Sequence, residues 1–170
     1  MKRVLMTVLA LLLNMAFLSL PVAAQAEKLE TSSTQDLLIK SEVETAVSML
    51  QAIYTKHQEG EMSLAQAKKL GADLLRELRY GTEGYFWADT TEGVNVVLYG
   101  KKDVEGKNRL ENRDRNGIFY IKEFLEIGKA GGGYVEYWFP KKGQTTPQAK
   151  RSYVFLFKPF GWVVGSGYYR

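Results

Sequence analysis

The sequence predicts an α+β domain in which a long N-terminal helix and a second helix pack on a five-stranded antiparallel sheet. Three observations carry that prediction. No glycine precedes Gly60, and 14 of the 16 glycines fall at or after Gly81. Before Tyr80 the only aromatic residues are Phe17 and Tyr54, so the ring-bearing residues that suit a pleated surface gather in the second half. The apolar residues recur at three- and four-residue spacing up to about Arg79 and alternate from Gly84 onward.

The first 26 residues read as a secretory signal peptide. Met1-Lys2-Arg3 is basic, Val4 to Leu20 is apolar, and Val22-Ala23-Ala24-Gln25-Ala26 offers small-residue cleavage patterns ending at Ala24 or Ala26. An uncleaved anchor helix is the alternative, since that run is just long enough to enter a bilayer. The expected location is therefore periplasmic or secreted. Removing the leader takes away Lys2 and Arg3 and no acid, so the 23 basic residues become 21 against 19 acidic ones. A surface so nearly balanced argues against a nucleic-acid partner. Zero cysteines exclude a disulfide framework, thiolate metal sites and a thiol nucleophile.

Residues 27–170 are left as one domain, with a helical part over about 33–80 and a sheet part over about 84–169. Ser33, with Asp36 three residues on, is expected to cap a helix from about Thr34 to Gln58. Its apolar stripe is Ile39, Val43, Ala46, Val47, Leu50 and Tyr54, and Gly60 ends it. Ser63 and Gln66 form a capping box for a second helix to about Arg79, with Leu64, Ala67, Leu70, Leu74, Leu75 and Leu78 as its stripe. Gly84 to Asp89 and Asn95 to Tyr99 are expected to pair as a hairpin around Thr91-Glu92-Gly93. Asp114-Arg115-Asn116-Gly117 is a turn, Ile118 to Lys129 a short helix, and Gly131-Gly132-Gly133 its stop. Strands Tyr134–Phe139, Ser152–Phe157 and Trp162–Tyr168 complete a meander.

Catalytic signatures are sparse. His57 sits near a helix end with no acid or nucleophile at a telling spacing, and no Walker loop, zinc helix or nucleophile elbow is present. The Asp114 turn departs from a calcium loop, because its glycine comes early and position twelve is Leu125. Neither a cofactor nor a metal is called for.

What stands out is one strand face. Tyr85, Trp87 and Asp89 share a side, which suits either a solvent-facing strand or the wall of a pocket with a few oriented polar groups. Lys150-Arg151 lies just before a later strand, where a cation could reach the mouth of such a pocket and hold a small carboxylate beside tyrosine hydroxyls.

Several blocks in fixed order then become familiar. They are Gly84-Tyr85-Phe86-Trp87, Glu105-Gly106-Lys107-Asn108-Arg109, Asp114-x-x-Gly117, Gly132-Gly133-Tyr134-Val135-x-Tyr137-Trp138-Phe139-Pro140-Lys141-x-Gly143, Pro147-x-x-Lys150-Arg151-Ser152-Tyr153, and Phe160-Gly161-Trp162-Val163-Val164-Gly165-Ser166-Gly167. From about Ser33 to Tyr169 the chain resembles the single Cache domains of type 2, the extracytoplasmic sensor modules of bacterial chemoreceptors and sensor kinases. The resemblance implies a PAS-like sheet whose concave face holds a small organic acid. It makes Lys150 the first choice for the carboxylate partner, with Tyr85, Trp87 and Tyr137 as walls and Tyr99, Arg109 and Tyr153 also in the ligand-binding set.

Two departures from the family pattern stand out. Tyr99-Gly100 replaces the His-Pro of many members, and Asp89 stands where an apolar residue is common. An acid facing the pocket would favour an amino acid or hydroxy acid. Where similar receptors continue into a membrane helix, this sequence ends at Tyr169-Arg170, so the resemblance implies a separate membrane chemoreceptor or sensor kinase as partner. Two other functions remain open at this stage: an interaction protein with a vestigial pocket that pairs through its long helix, and a small hydrolase or lyase using a pocket carboxylate. A homodimer through the N-terminal helix is compatible with its apolar stripe.

Overall fold

A computed structural model describes the chain from Val22 to Arg170, with side chains from Glu30 onward. Of the expected leader, residues 1–26, the first 21 lie outside the described residues. Helix α1 runs over Val22–Gln58 and α2 over Leu64–Glu77. They are followed by β1 (Arg79–Tyr80), β2 (Gly84–Thr90), β3 (Asn95–Leu98), a 3-10 turn at Lys102–Val104, α3 (Tyr120–Lys129), β4 (Gly133–Pro140), β5 (Pro147–Phe157) and β6 (Trp162–Tyr169). Among the described residues, those up to Gln35 belong to one unit and Asp36 to Arg170 form a second. Ser33 lies inside α1 and caps nothing, because no glycine or proline interrupts the run from Ala23 to Gln58.

All strands pair antiparallel in the order β1-β2-β6-β5-β4, and β3 pairs β2. The sheet therefore has six strands where five were expected. The extra one, β1, is a two-residue strand that turns straight back onto Tyr85 and Gly84. The expectation of helices on an antiparallel sheet holds.

Both faces of the sheet are covered, which overturns the solvent-facing alternative for β2. On one face Phe86, Ala88, Phe157, Trp162 and Val164 pack with Ile39, Val43, Ala46, Leu50 and Ile53 of α1 and with Ala67 and Leu75 of α2. On the other, Tyr85, Trp87, Leu98, Tyr137, Val154 and Val163 pack with Ile121, Phe124 and Leu125 of α3. Successive residues of one strand serve opposite cores, as the two-residue period requires.

Helix α2 has its Ser63–Gln66 capping box but not its expected stripe. It turns Ala67, Gly71 and Leu75 inward and leaves Leu64, Leu70 and Leu74 exposed. The reason is close approach: a Cβ at Gly71 would lie 2.8 Å from Leu50 Cδ2, so the smallest residues of α2 meet the neighbouring core.

Two boundaries shift in ways that matter for the site. Helix α3 starts at Tyr120, not Ile118, because the Ile118 amide and carbonyl are both bonded to Asp114, through its Oδ1 at 3.0 Å and its amide at 2.9 Å. Strand β5 starts at Pro147, so Lys150 and Arg151 lie within it and Lys150 is buried instead of standing at a pocket mouth. Pairing on both sides explains this: Lys150 faces Tyr137 of β4 and Tyr169 of β6.

Candidate functional site

Strand register brings the key groups together. Lys150 sits between two partner strands with its side chain on the α3 face, and only 2% of it is exposed. Its Nζ donates a 2.6 Å hydrogen bond to the Tyr85 hydroxyl. Four ring centroids surround the same atom, at 4.2 Å (Tyr85), 4.7 Å (Trp87), 4.9 Å (Tyr169) and 5.7 Å (Phe139). Ring faces attract a cation but do not neutralise it. No carboxylate pairs with Lys150 among the described residues, and burial pulls its pKa down to about 7.

The cavity at this ammonium is small, about 10 Å³, and is lined by Tyr85, Trp87, Arg109, Tyr137 and Phe139 among others. The buried Trp87 Nε1 is an N–H donor with no acceptor among the described residues. A buried donor left unpaired costs free energy, and so does a buried lone cation. Lys150 and Trp87 both line this cavity, and an anion with acceptor oxygens could balance the one and accept from the other. Tyr137 stacks on Tyr120 with ring planes 11° apart and accepts a 3.2 Å bond from Ser152 Oγ. Burial pushes the Tyr137 and Tyr85 hydroxyls well above their ordinary range, so both stay protonated. A Cβ on Gly165 would lie 2.5 Å from Trp87 Cζ2, so this glycine lets the indole lie flat on β6.

Asp89 stays on the face of Trp87, opposite Val163 of β6 as Trp87 is opposite Gly165, but it does not line the cavity. The pairing with β3 shifts register between Ala88 and Asp89. The carboxylate is then held by Arg109, Nε to Oδ1 at 3.0 Å and Nη2 to Oδ2 at 2.5 Å, and by Asn95 Nδ2 at 3.0 Å from Oδ1. Both partners are buried, Asp89 to 1% and Arg109 to 4% exposure. The acid is thus matched by a fixed cation, and it is the guanidinium of Arg109 that lines the cavity.

Of the residues expected at the site, Lys150, Tyr85, Trp87, Tyr137 and Arg109 share this cavity. Tyr99 lies beside it, its ring 5.5 Å from that of Tyr85 and its hydroxyl accepting a 2.6 Å bond from Lys142. Tyr153 does not join them. It is three positions beyond Lys150 on β5, so it points to the opposite face, where it packs edge-on against Tyr134. Tyr169, Tyr120 and Phe124 were missed, and Phe139, on the side of Tyr137 in β4, was left out of the ligand-binding set. Tyr169 had a usable signal, since the last strand must bring an alternate residue beside Lys150 once the meander closes. His57 is a helix-end residue, its Nδ1 3.0 Å from the Met62 carbonyl. Among the described residues no cluster of three or more acidic or histidine side chains could hold a metal ion.

A family model for the Cache domain matches residues 10–170. The chain belongs to the Cache domain family. Among curated proteins this Cache domain is 30% identical over 128 residues to methyl-accepting chemotaxis protein McpP of Pseudomonas putida, 75% of this chain and 24% of the relative. It is 32% identical over 136 residues to sensor histidine kinase MctS of Rhizobium johnstonii, 80% of this chain and 29% of the relative. The chain therefore spans about a quarter of the length of the curated relatives it matches.

Two solved structures share the fold closely. One is a periplasmic sensor domain of a chemotaxis protein, 33% identical with a TM-score of 0.78 over 81% of this chain and 96% of the other. The second is a Cache chemosensory domain solved for its carboxylic acid recognition, 29% identical with a TM-score of 0.79 over 82% of this chain and 96% of the other. The Cache fold is that of sensor ligand-binding domains in chemoreceptors and sensor kinases, as the sequence blocks implied.

Proposed function

We infer that this Cache domain is a periplasmic sensor that binds a small monocarboxylate through Lys150, and that its bound state is read by a membrane chemoreceptor or sensor kinase. The observation that carries the reading is the buried Lys150 ammonium, which has Tyr85 as its hydrogen-bond partner and, among the described residues, no acid to balance it. A carboxylate there would accept a charge-assisted bond from Lys150 and a second from Trp87 Nε1. The carboxylic acid recognition of the similar Cache structure supports the same ligand class.

Size narrows the class. A cavity of about 10 Å³ holds little more than one water, so a ligand must be short and must move side chains on arrival. Charge narrows it again. Asp89 is already engaged by Arg109 and Asn95, so no acid is available for the ammonium of an amino acid. Acetate, propionate, pyruvate and lactate are therefore the expected binders, ahead of amino acids.

Thermal unfolding with this panel tests the proposal. A ligand that binds only the folded state adds about 2.7 kcal/mol at a hundred times its dissociation constant. At least one of the four acids should raise the melting temperature of the wild type and fail to raise that of K150M. Equal shifts in both proteins, or none with any of the four, would refute it.

A further inference from the structure

The Lys150 cavity is small, about 10 Å³, and two larger cavities flank it. One, about 210 Å³, touches Tyr85, Tyr99 and Tyr169. Its cations are occupied: Lys141 pairs with Glu83 at 2.9 Å and Lys142 donates to the Tyr99 hydroxyl at 2.6 Å. The second, about 230 Å³, shares Leu98, Arg109, Tyr120 and Phe139 with the Lys150 cavity. Four cations, Lys101, Arg109, Arg113 and Arg115, line it with one acid, Asp114; Arg109 is already balanced by Asp89, which leaves three cations to that acid.

That acid is spent on the backbone. Asp114 Oδ1 accepts from the amides of Asn116 and Ile118 at 2.7 and 3.0 Å, and Oδ2 accepts from the Trp138 amide at 3.1 Å. The clamp fixes Arg113 and Arg115 on either side of Asp114 without pairing them. They rest on ring faces instead, Arg113 3.8 Å from the centroid of Phe119 and Arg115 4.5 Å from that of Trp138. Lys101 Nζ is 5.9 Å from the Phe139 ring. None of these three has an acidic partner among the described residues. The buried Arg109 gives Nε and Nη2 to Asp89, and among the described residues its Nη1 meets no acceptor. Uncompensated charges on low-dielectric walls concentrate anions and raise their arrival rate.

The geometry points to this cavity as an anion-collecting antechamber, from which a small carboxylate reaches Lys150 past Arg109 by parting the edge-to-face contact of Tyr120 and Phe139, whose ring centroids are 6.1 Å apart. The passage rests on the reading of Lys150 given above; the collection of anions does not. Arg109 lines both spaces and is the step between them.

Trp138 is a built-in reporter, because it lines the antechamber while Trp87 and Trp162 are buried. Iodide, an anionic quencher, should quench the fluorescence component lost in W138F at least about threefold more strongly in the wild type than in R113Q/R115Q, with neutral acrylamide quenching both alike. K158Q, which removes a charge outside the cavity, should behave as the wild type. Equal iodide quenching in the wild type and R113Q/R115Q would overturn the antechamber. The association rate of propionate should fall about tenfold in R113Q/R115Q at low ionic strength, with dissociation unchanged and the difference fading in high salt. An unchanged association rate would overturn the passage. Propionate that never binds while iodide still prefers Trp138 would refute the reading of Lys150 and support the antechamber as an anion site.

Discussion

The guanidinium of Arg151 grips the carboxylate of Asp36, with Nε 2.8 Å from Oδ1 and Nη2 2.9 Å from Oδ2. Arg151 is the neighbour of Lys150, so one dipeptide of β5 reaches both sides of the sheet: Lys150 into the cavity on the α3 face, Arg151 onto α1. The register repeats this in β6. Tyr169, paired with Lys150, lies by the cavity, and Tyr168, paired with Arg151, donates to Asp36 Oδ1 at 3.1 Å. A shift of these paired strands on ligand binding would be felt at α1 without any relay of intervening side chains.

Replacing Asp36 by alanine should cost about 1.5–3 kcal/mol, the range for hydrogen bonds to a charged group. Burial opposes the charged carboxylate, but the bonds from Arg151 and Tyr168 prevail and hold its pKa below the ordinary 3.8. Because the folded value lies below the unfolded one, the stabilisation is present above about pH 4 and is lost as pH falls through the folded value. Urea unfolding from pH 6 to pH 2 should therefore show a steeper acid loss in the wild type than in D36A.

Lys150 titrates with the opposite consequence. Its folded pKa of about 7 lies below the ordinary 10.5, so between these values the unfolded chain binds more protons than the folded one. Wild-type stability should then rise from about pH 7 to about pH 10.5 and be flat below pH 7. K150M should lack that rise and be more stable than the wild type at pH 7, by an amount on the order of 4 kcal/mol. Denaturant titrations of both proteins across that window measure the difference.

The buried pair Asp89–Arg109 should behave as a unit. D89N or R109M leaves one charge buried without its partner and should cost about 3–5 kcal/mol. The double substitution should cost less than the sum of the two, which a double-mutant cycle in urea would register.

Gly165 should resist even a methyl group. The new Cβ of G165A would meet the Trp87 indole, an overpacking expected to cost about 1–3 kcal/mol. Since Trp87 walls the Lys150 cavity, G165A should also change the near-ultraviolet circular dichroism of the folded protein.

Much of this was legible in the sequence because local rules and the tertiary fold agree. Ser63 and Gln66 announce α2, and Gly131 and Gly132, both at positive φ, stop α3 as their spacing suggests. The resemblance brought out Lys150, Tyr85 and Trp87 as a group. The rest depended on facts that periodicity does not carry. Lys150 reads as a strand-end charge because a lysine in an alternating pattern normally marks the wet face, whereas here both faces are covered. Asp89 reads as a pocket acid until the arrival of Arg109 from 20 residues on is known. Leu64, Leu70 and Leu74 have helical spacing, yet close approach at Gly71 decides which side of α2 turns inward.

Lys150 holding a carboxylate as a buried cation is the central claim, and the pH dependence of propionate affinity tests it most directly. With a pKa of about 7, Lys150 is mostly charged at pH 6 and mostly neutral at pH 8.5, while propionate stays ionised at both. Calorimetric titration should give about thirtyfold weaker binding at pH 8.5 than at pH 6, with proton uptake on binding at the higher pH. K150M should show no binding at either. The same affinity at both pH values, or propionate binding retained by K150M, would contradict the account.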